Sequence, residues 1–329
     1  MAEEGGIVSG EKLDDATRVL VVESDGGLIQ APLPDHTHLL PTIGDEFGPV
    51  RLTRELGRGA MAVVFLAHHH VLDREVAVKV LIAGSPASRG LGYARFAAEA
   101  RTAAAVQDPH LTLIYHADLT GDVPYLVMEY VKGSTLAQLV KKVGRLSSAV
   151  TTAVMLQVSS AVGKLHDHDI IHRDLKLSNV LLDANGRTVV SDFGLAELHA
   201  DSHAAATSEL RLAGTPAYMA PEMFEGHVSA RSDVYAMGVM MFHLLAGKVP
   251  FEGTLQEIRD QHQTSVLSLH ILSANGATNG LLELIERAMD KDPVQRFTTG
   301  RELHKGLAEL RCDVTTAEEE LVRLIGAVD

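Results

Sequence analysis

The run from Ile170 to Leu182, Ile-Ile-His-Arg-Asp-Leu-Lys-Leu-Ser-Asn-Val-Leu-Leu, constrains this chain more than any other stretch. Ile170 and Ile171 lead in, Val180 to Leu182 lead out, and both flanks are apolar enough to be buried. Between them sit a histidine, an arginine, an aspartate, a lysine and an asparagine. Polar groups held between buried segments are costly unless they serve one another or a ligand. A carboxylate (Asp174), a cation two residues on (Lys176) and an amide five residues on (Asn179) can converge on one small volume. Such a trio suits chemistry in which a hydroxyl is oriented while metal-bound phosphate oxygens are held.

Other segments point the same way. Leu56-Gly57-Arg58-Gly59-Ala60-Met61-Ala62-Val63-Val64 spaces two glycines so that a turn can lie close over phosphates, offering N–H groups without Cβ obstruction. Val76-Ala77-Val78-Lys79 alternates and ends in a cation, a compact point charge for phosphate oxygens. Alone, the glycines would read as a structural turn and Lys79 as a solvated edge-strand lysine; in succession each strengthens the other. Ala94 to Val106 is helix-forming, with Phe96, Ala100, Ala103 and Ala104 on an apolar face. Leu111 to Ala117 and Val123 to Met128 flank Leu119-Thr120-Gly121-Asp122, a hairpin signal. Ser134 to His168 reads as two helices, and Asp192-Phe193-Gly194 follows a strand at Thr188 to Ser191.

Over residues 48 to 312 these motifs resemble the eukaryotic-type (Hanks-type) protein kinases, in the Ser/Thr branch also found in bacteria. The resemblance implies an α+β, bilobal protein-kinase fold. Its N-lobe, residues 44–128, would be a five-stranded antiparallel sheet plus the αC helix; a hinge at 129–133 would join it to a mainly helical C-lobe at 134–312. Residues 1–43 are expected to form a partly ordered extension, with a hairpin of Arg18 to Glu23 and Leu28 to Leu33 about Ser24-Asp25-Gly26-Gly27. Residues 313–329 are expected to be a tail helix opened by a capping box at Thr315 or Thr316, its Leu321, Leu324 and Ile325 packed on the C-lobe.

By the same resemblance, ATP with Mg²⁺ (Mn²⁺ as the alternative ion) would bind between the lobes. Its contacts would be the loop Leu56 to Val64 (Leu56, Gly57, Arg58, Gly59, Ala60, Met61, Ala62, Val63, Val64), Ala77, Lys79, the gatekeeper Met128 and the backbone of Glu129 and Val131. Asn179 and Asp192 would hold the metal. Asp174 would be the catalytic base, Lys176 would neutralise charge on the transferred group, and Glu99 would pair with Lys79. Within Gly214 to Glu222, the segment that receives the acceptor, Thr215 would hydrogen-bond Asp174 and Lys176. Glu222 would pair with Arg296, and Asp233 would brace the catalytic-loop backbone. Thr207, Ser208 and Thr215 are the candidate phosphosites, with Arg173 the cation that would receive a phosphorylated loop. One departure stands out: Ala62 replaces the third glycine of the phosphate loop, which predicts a slightly stiffer loop.

The implied reaction passes the ATP γ-phosphoryl group to Ser or Thr hydroxyls of protein substrates, with trans-autophosphorylation bringing two copies together transiently. A nucleotide-binding pseudokinase scaffold and a small-molecule phosphotransferase remain as rivals. Intact Lys79, Glu99, Asp174, Asn179 and Asp192 weigh against the first, and the Gly214 to Glu222 segment against the second. A net charge of −14 argues against a nucleic-acid surface and supplies no polybasic membrane anchor. A single cysteine, Cys312, excludes an intramolecular disulfide framework. The start Met-Ala-Glu-Glu-Gly-Gly lacks a secretory signal, and Val234 to Leu245 is too short to span a bilayer, so the expected location is cytoplasmic. The histidine clusters His68-His69-His70 and His166, His168 and His172 read as a turn, a solvated helix end and part of the catalytic loop, not as metal sites.

Overall fold

The computed structural model describes residues 18–22, 28–32, 41–59, 62–82, 96–97, 100, 105–119, 123–192 and 216–327. The first hairpin pairs β1 (Arg18–Val22) with β2 (Leu28–Pro32), from Arg18 against Pro32 to Val22 against Leu28.

Alternation of apolar and polar residues builds the small lobe. Strands β3 (Glu46–Phe47), β4 (Val50–Arg58), β5 (Ala62–His69), β6 (Arg74–Leu81), β7 (Ile114–Asp118) and β8 (Tyr125–Glu129) form one antiparallel sheet in the order β3-β4-β5-β6-β8-β7. The sheet therefore has six strands where five were expected. The sixth is the two-residue β3, whose Phe47 packs edge-on against Tyr125 with centroids 5.0 Å apart. His68 and His69 belong to β5, so the expected turn begins only at His70. One face buries Val50, Leu52, Val63, Phe65, Val76, Val78, Val80 and Val127. With a period of two, the intervening residues share the opposite face. There the register sets Val64 beside Lys79 and Ala77 beside Met128. Phe96 and Ala100, in helical backbone, pack with Leu126 on that same side.

The hinge ends in β9 (Gly133–Thr135), which joins β10 (Val180–Asp183) and β11 (Thr188–Val190) in a three-stranded sheet. A Cβ on Gly133 would lie 1.9 Å from the Leu182 carbonyl oxygen, so only glycine fits where the hinge crosses β10. Helix α1 (Leu136–Val143) starts at a Thr135–Gln138 capping box. Helix α2 (Ser148–His166) is capped by Ser147 and buried along most of its length, as is α3 (Ala230–Ala246). Helices buried on all sides form the spine of a large core. Around them pack α4 (Leu255–Thr264), α5 (His270–Ala274), α6 (Asn279–Ala288), α7 (Gly300–Ala308) and α8 (Val314–Gly326). A Cβ on Gly163 would meet the Arg301 nitrogen at 2.8 Å; this close approach brings the end of α2 onto the start of α7.

The tail helix α8 buries Ala317, Leu321 and Ile325 against the large lobe. Its cap is Asp313, whose side chain accepts from the Thr316 N–H at 3.2 Å, and not Thr315 or Thr316. A carboxylate one turn earlier satisfies the orphan donor, so Thr316 becomes part of the first turn. Among the described residues no helix is long and apolar enough to cross a membrane.

Candidate active site

The site is assembled from the buried end of α2 outward. His166 is buried, not solvated as the sequence led us to expect. The Gly300 N–H donates to its Nδ1 at 3.0 Å, so Nε2 carries the ring hydrogen and donates to Asp233 Oδ2 at 2.9 Å. Asp233, in the first turn of α3, also accepts from the His172 N–H (2.7 Å) and the Arg173 N–H (2.9 Å). Burial alone would raise the Asp233 carboxyl; the His166 hydrogen bond and the His172 backbone bond overcome this and hold it below its usual range. Arg173 sits at φ 67°, a left-handed conformation that non-glycine residues avoid. The two N–H bonds to Asp233 are what hold the strained loop in place.

On that brace the catalytic loop gathers its polar groups. Lys176 Nζ lies 2.7 Å from Asp174 Oδ2. Asn179 Nδ2 donates to the Asp174 carbonyl at 2.9 Å and to Asp174 Oδ2 at 3.1 Å. His172 ties this loop to the end of β11: the Asp174 N–H donates to its Nδ1 at 3.3 Å, and its Nε2 lies 3.1 Å from the Ser191 carbonyl oxygen. The Ser191 N–H in turn donates to the Asn179 carbonyl at 2.9 Å, which sets Asp192 beside Asn179. Asp192 is itself left-handed, at φ 60°, and its Oδ1 lies 2.7 Å from Lys79 Nζ. The Lys79 charge holds the Asp192 carboxyl below the usual carboxylate range despite desolvation.

Lys79, Asp174, Lys176, Asn179 and Asp192 thus converge from β6, the catalytic loop and the end of β11. On the cleft face of the sheet stand Val64, Ala77 and Met128, whereas the Val63 side chain lies in the core of the other face. The Gly59 N–H donates to the Ala62 carbonyl at 2.8 Å, and Arg58 pairs with Glu55 at 2.6 Å on the exposed strand edge. Leu56 is exposed, Gly57 pairs with Val64, and Val131 is buried. Glu129 spends its N–H on the Leu113 carbonyl (2.8 Å). Glu99, Ala60, Met61, Thr207, Ser208 and Thr215 lie outside the described residues.

The donor set fits a hard divalent cation. Asn179 commits its nitrogen to Asp174, which leaves the amide oxygen for a metal, and Asp192 contributes a carboxylate. Oxygen donors of this kind suit hard divalent ions such as Mg²⁺ and Mn²⁺ alike.

Beside the catalytic loop, Arg296 forks onto Glu222 with bonds of 2.8 and 2.9 Å, its side chain fully buried. Ser232 Oγ adds a third bond to Glu222 at 2.8 Å. Reading the sequence missed a second arginine. Arg187 pairs with Glu129 of the hinge, with Asp183 (3.2 Å) and with the Pro109 carbonyl (3.1 Å). Asp183 and Arg187 flank a turn in the sequence, but nothing local announces the hinge carboxylate.

Comparison with known proteins agrees with this geometry. A protein kinase domain model matches residues 50–307. Serine/threonine-protein kinase PrkC of Bacillus subtilis is 32% identical over 265 residues, covering 78% of this chain and 39% of that protein. A probable serine/threonine-protein kinase PknB of Bifidobacterium longum is 36% identical over 266 residues, covering 78% and 38%. PknB of Mycobacterium tuberculosis is 34% identical over 261 residues, covering 78% and 42%. The chain therefore spans about two fifths of the length of the curated relatives it matches. With the family match running from β4 to α7 and the polar groups of the cleft in contact, the chain belongs to the protein kinase family, in its bacterial Ser/Thr branch.

Proposed function

We propose that this chain is a Ser/Thr protein kinase that transfers the ATP γ-phosphoryl group to hydroxyls of protein substrates. The observation that carries the reading is the Asp174–Lys176–Asn179 contact, with Lys176 Nζ 2.7 Å from Asp174 Oδ2. A carboxylate alone could orient a hydroxyl. A carboxylate with a cation on the same oxygen can also meet the negative charge that grows on a phosphoryl group in transit.

In this reading the adenine lies against Ala77, Met128 and Val131, and the Glu129 carbonyl and Val131 N–H address its edge. Lys79 holds phosphate oxygens. Mg²⁺, held by Asn179 and Asp192, neutralises phosphate charge when bound. Asp174 orients the acceptor hydroxyl and receives its proton, and Lys176 stays with the transferred group. Catalysis is then mostly positioning and charge stabilisation. Arg173 receives a phosphate placed on Thr207 or Ser208 by a second copy, and the chain works in the cytoplasm.

The test compares wild type with Asp174→Asn for phosphate transfer from labelled ATP to casein and to the chain itself. We expect wild type to label Ser and Thr, and the variant to fall by about a thousandfold, as loss of a proton acceptor and of charge balance requires. Equal rates for the two would overturn the assignment. Nucleotide binding by wild type with no transfer to any acceptor would favour a scaffold.

A further inference from the structure

Beneath the segment that receives the acceptor lies a histidine that the mechanism above does not use. The turn Pro216–Tyr218 rests on α3 and α4. His262, from the last turn of α4, is fully buried directly below it. Three aromatic rings enclose its imidazole: Phe251 edge-on with centroids 4.8 Å apart, Tyr235 at 5.6 Å and Phe224 at 6.1 Å. The Tyr235 hydroxyl lies 2.8 Å from Nδ1. Its other nitrogen, Nε2, is buried and makes no hydrogen bond of ordinary geometry, although the Pro216 and Ala217 carbonyls lie beside the ring.

The tautomer follows from these neighbours. A bare Nε2 lone pair facing carbonyl lone pairs would be repulsive, so the ring hydrogen sits on Nε2 and Tyr235 donates to Nδ1. A buried donor left short of its acceptor is costly, by more than the bond itself would contribute. Here the acceptors are already adjacent and belong to the Pro216–Tyr218 turn. The described hydrogen bonds of that turn include the Met219 N–H to the Pro216 carbonyl (3.1 Å) and the Tyr218 hydroxyl with His243 Nδ1 (2.6 Å).

We propose that His262 is a positioning residue for the protein acceptor, holding the Pro216–Tyr218 turn from below and completing its Nε2–H bond to the turn's carbonyls as the acceptor docks. The inference rests on the kinase reading of the site. It makes Tyr235–His262 the support through which α3 and α4 set the height of the acceptor platform relative to Asp174. Hydrogen bonds in an unliganded site are commonly long and tighten once the substrate is present. Burial drives the His262 imidazole down to about 4, so the ring remains a neutral donor at working pH.

The experiment measures steady-state phosphorylation of casein by wild type, His262→Phe and His262→Gln, varying casein and ATP separately. Phe keeps the ring packing and removes both hydrogen bonds; the Gln amide can still donate toward the turn. We expect His262→Phe to raise KM for casein about tenfold, the equivalent of one hydrogen bond, with KM for ATP unchanged. His262→Gln should return it to within about threefold of wild type. Unchanged casein KM, an equal rise for ATP, or Gln as impaired as Phe would each overturn the proposal. Wild type that transfers no phosphate would sink the kinase reading instead. Amide exchange of Ala217, Tyr218 and Met219 then decides the inference: faster exchange in His262→Phe than in wild type supports it, and equal exchange overturns it. Should His262→Phe not fold, Tyr235→Phe, which removes the hydroxyl from Nδ1, takes its place with the same two readouts.

Discussion

Lys79 and Asp192 stand 113 positions apart in the chain, yet Nζ and Oδ1 meet at 2.7 Å, joining the small-lobe sheet to the end of β11 across the cleft. The contact holds the Asp192 carboxyl below its usual range. Lys79 keeps Asp192 a carboxylate, and Asp192 keeps a cation stationed where phosphate oxygens would enter. The Asp192 side of the pair is partly exposed, so the pair is not read as a stability device. Its value lies in preorganisation.

Substitution at either end should therefore cost rate far more than fold. Lys79→Met is expected to lower kcat by at least about a hundredfold, and Asp192→Asn by about a thousandfold with a raised Mg²⁺ requirement. Melting temperatures should stay within a few degrees of wild type. Phosphate transfer at saturating ATP, with Mg²⁺ titrated over a wide range, checks both. An Asp192→Asn enzyme with an unaltered Mg²⁺ dependence would remove that residue from the metal site.

Asp233 makes the opposite prediction, because it is buried and its oxygens serve three donors. In Asp233→Asn an amide NH₂ must face a backbone N–H or His166, leaving buried donors in opposition. The expected loss is about 2–4 kcal/mol of stability. Activity should fall too, since the loop that holds Arg173 at φ 67° loses part of the acceptor set that braces it. Urea denaturation paired with kcat measurement would show the two losses together; a fully stable but inactive variant would contradict the brace.

Arg296 and Glu222 form a buried, forked pair in which Arg296 also donates to the carbonyls of Asp290 (2.7 Å), Lys291 (3.2 Å) and Arg231 (3.1 Å). A lysine cannot reproduce that fork. Arg296→Lys and Glu222→Gln are each expected to cost about 3 kcal/mol, the range for breaking a buried pair. The double variant should cost well under their sum, because both break the same contact. Additive losses in denaturant titrations would mean that the residues act separately.

What the sequence disclosed and what it concealed divide along physical lines. The catalytic loop was legible because Asp174, Lys176 and Asn179 lie within six residues, so local spacing nearly determines their convergence. Val64, Ala77 and Met128 were assigned through the family resemblance, and the strand register sets Val64 beside Lys79 and Ala77 beside Met128 on one face. Glu222 with Arg296 was foreseen only through the family resemblance, since 74 positions separate them. Hidden were contacts whose partners carry no local signature. Arg187 on Glu129 needs the hinge to fold back on β10, and His262 needs α4 to turn under the Pro216–Tyr218 turn well upstream. His166 was misread because a helix end usually faces water; here α7 closes over it through the Gly163 and Gly300 approach. The tail-helix cap was misplaced because two threonines matched the capping pattern, while Asp313 lay one turn earlier and bound first.

His262 should also leave a mark on acid stability. Its imidazole is driven from the usual value near 6.5 down to about 4, first by burial and then by repulsion from Lys291. Between those two values the unfolded chain binds a proton that the folded chain refuses, so stability rises with pH across the window and is lost as pH falls through it. The contribution is complete above about pH 6.5, and by pH 4.5 the histidine alone should cost about 2–3 kcal/mol relative to pH 7. Carboxylates titrating in the same window add their own slopes, so the test is a difference between proteins. His262→Gln, which cannot take up a proton in either state, should lose less stability than wild type between pH 7 and 4.5, by about that amount, in urea denaturation. Identical pH slopes for the two proteins would mean that the folded imidazole takes up its proton as readily as the unfolded one, and the depression of His262 by burial would then have to be abandoned.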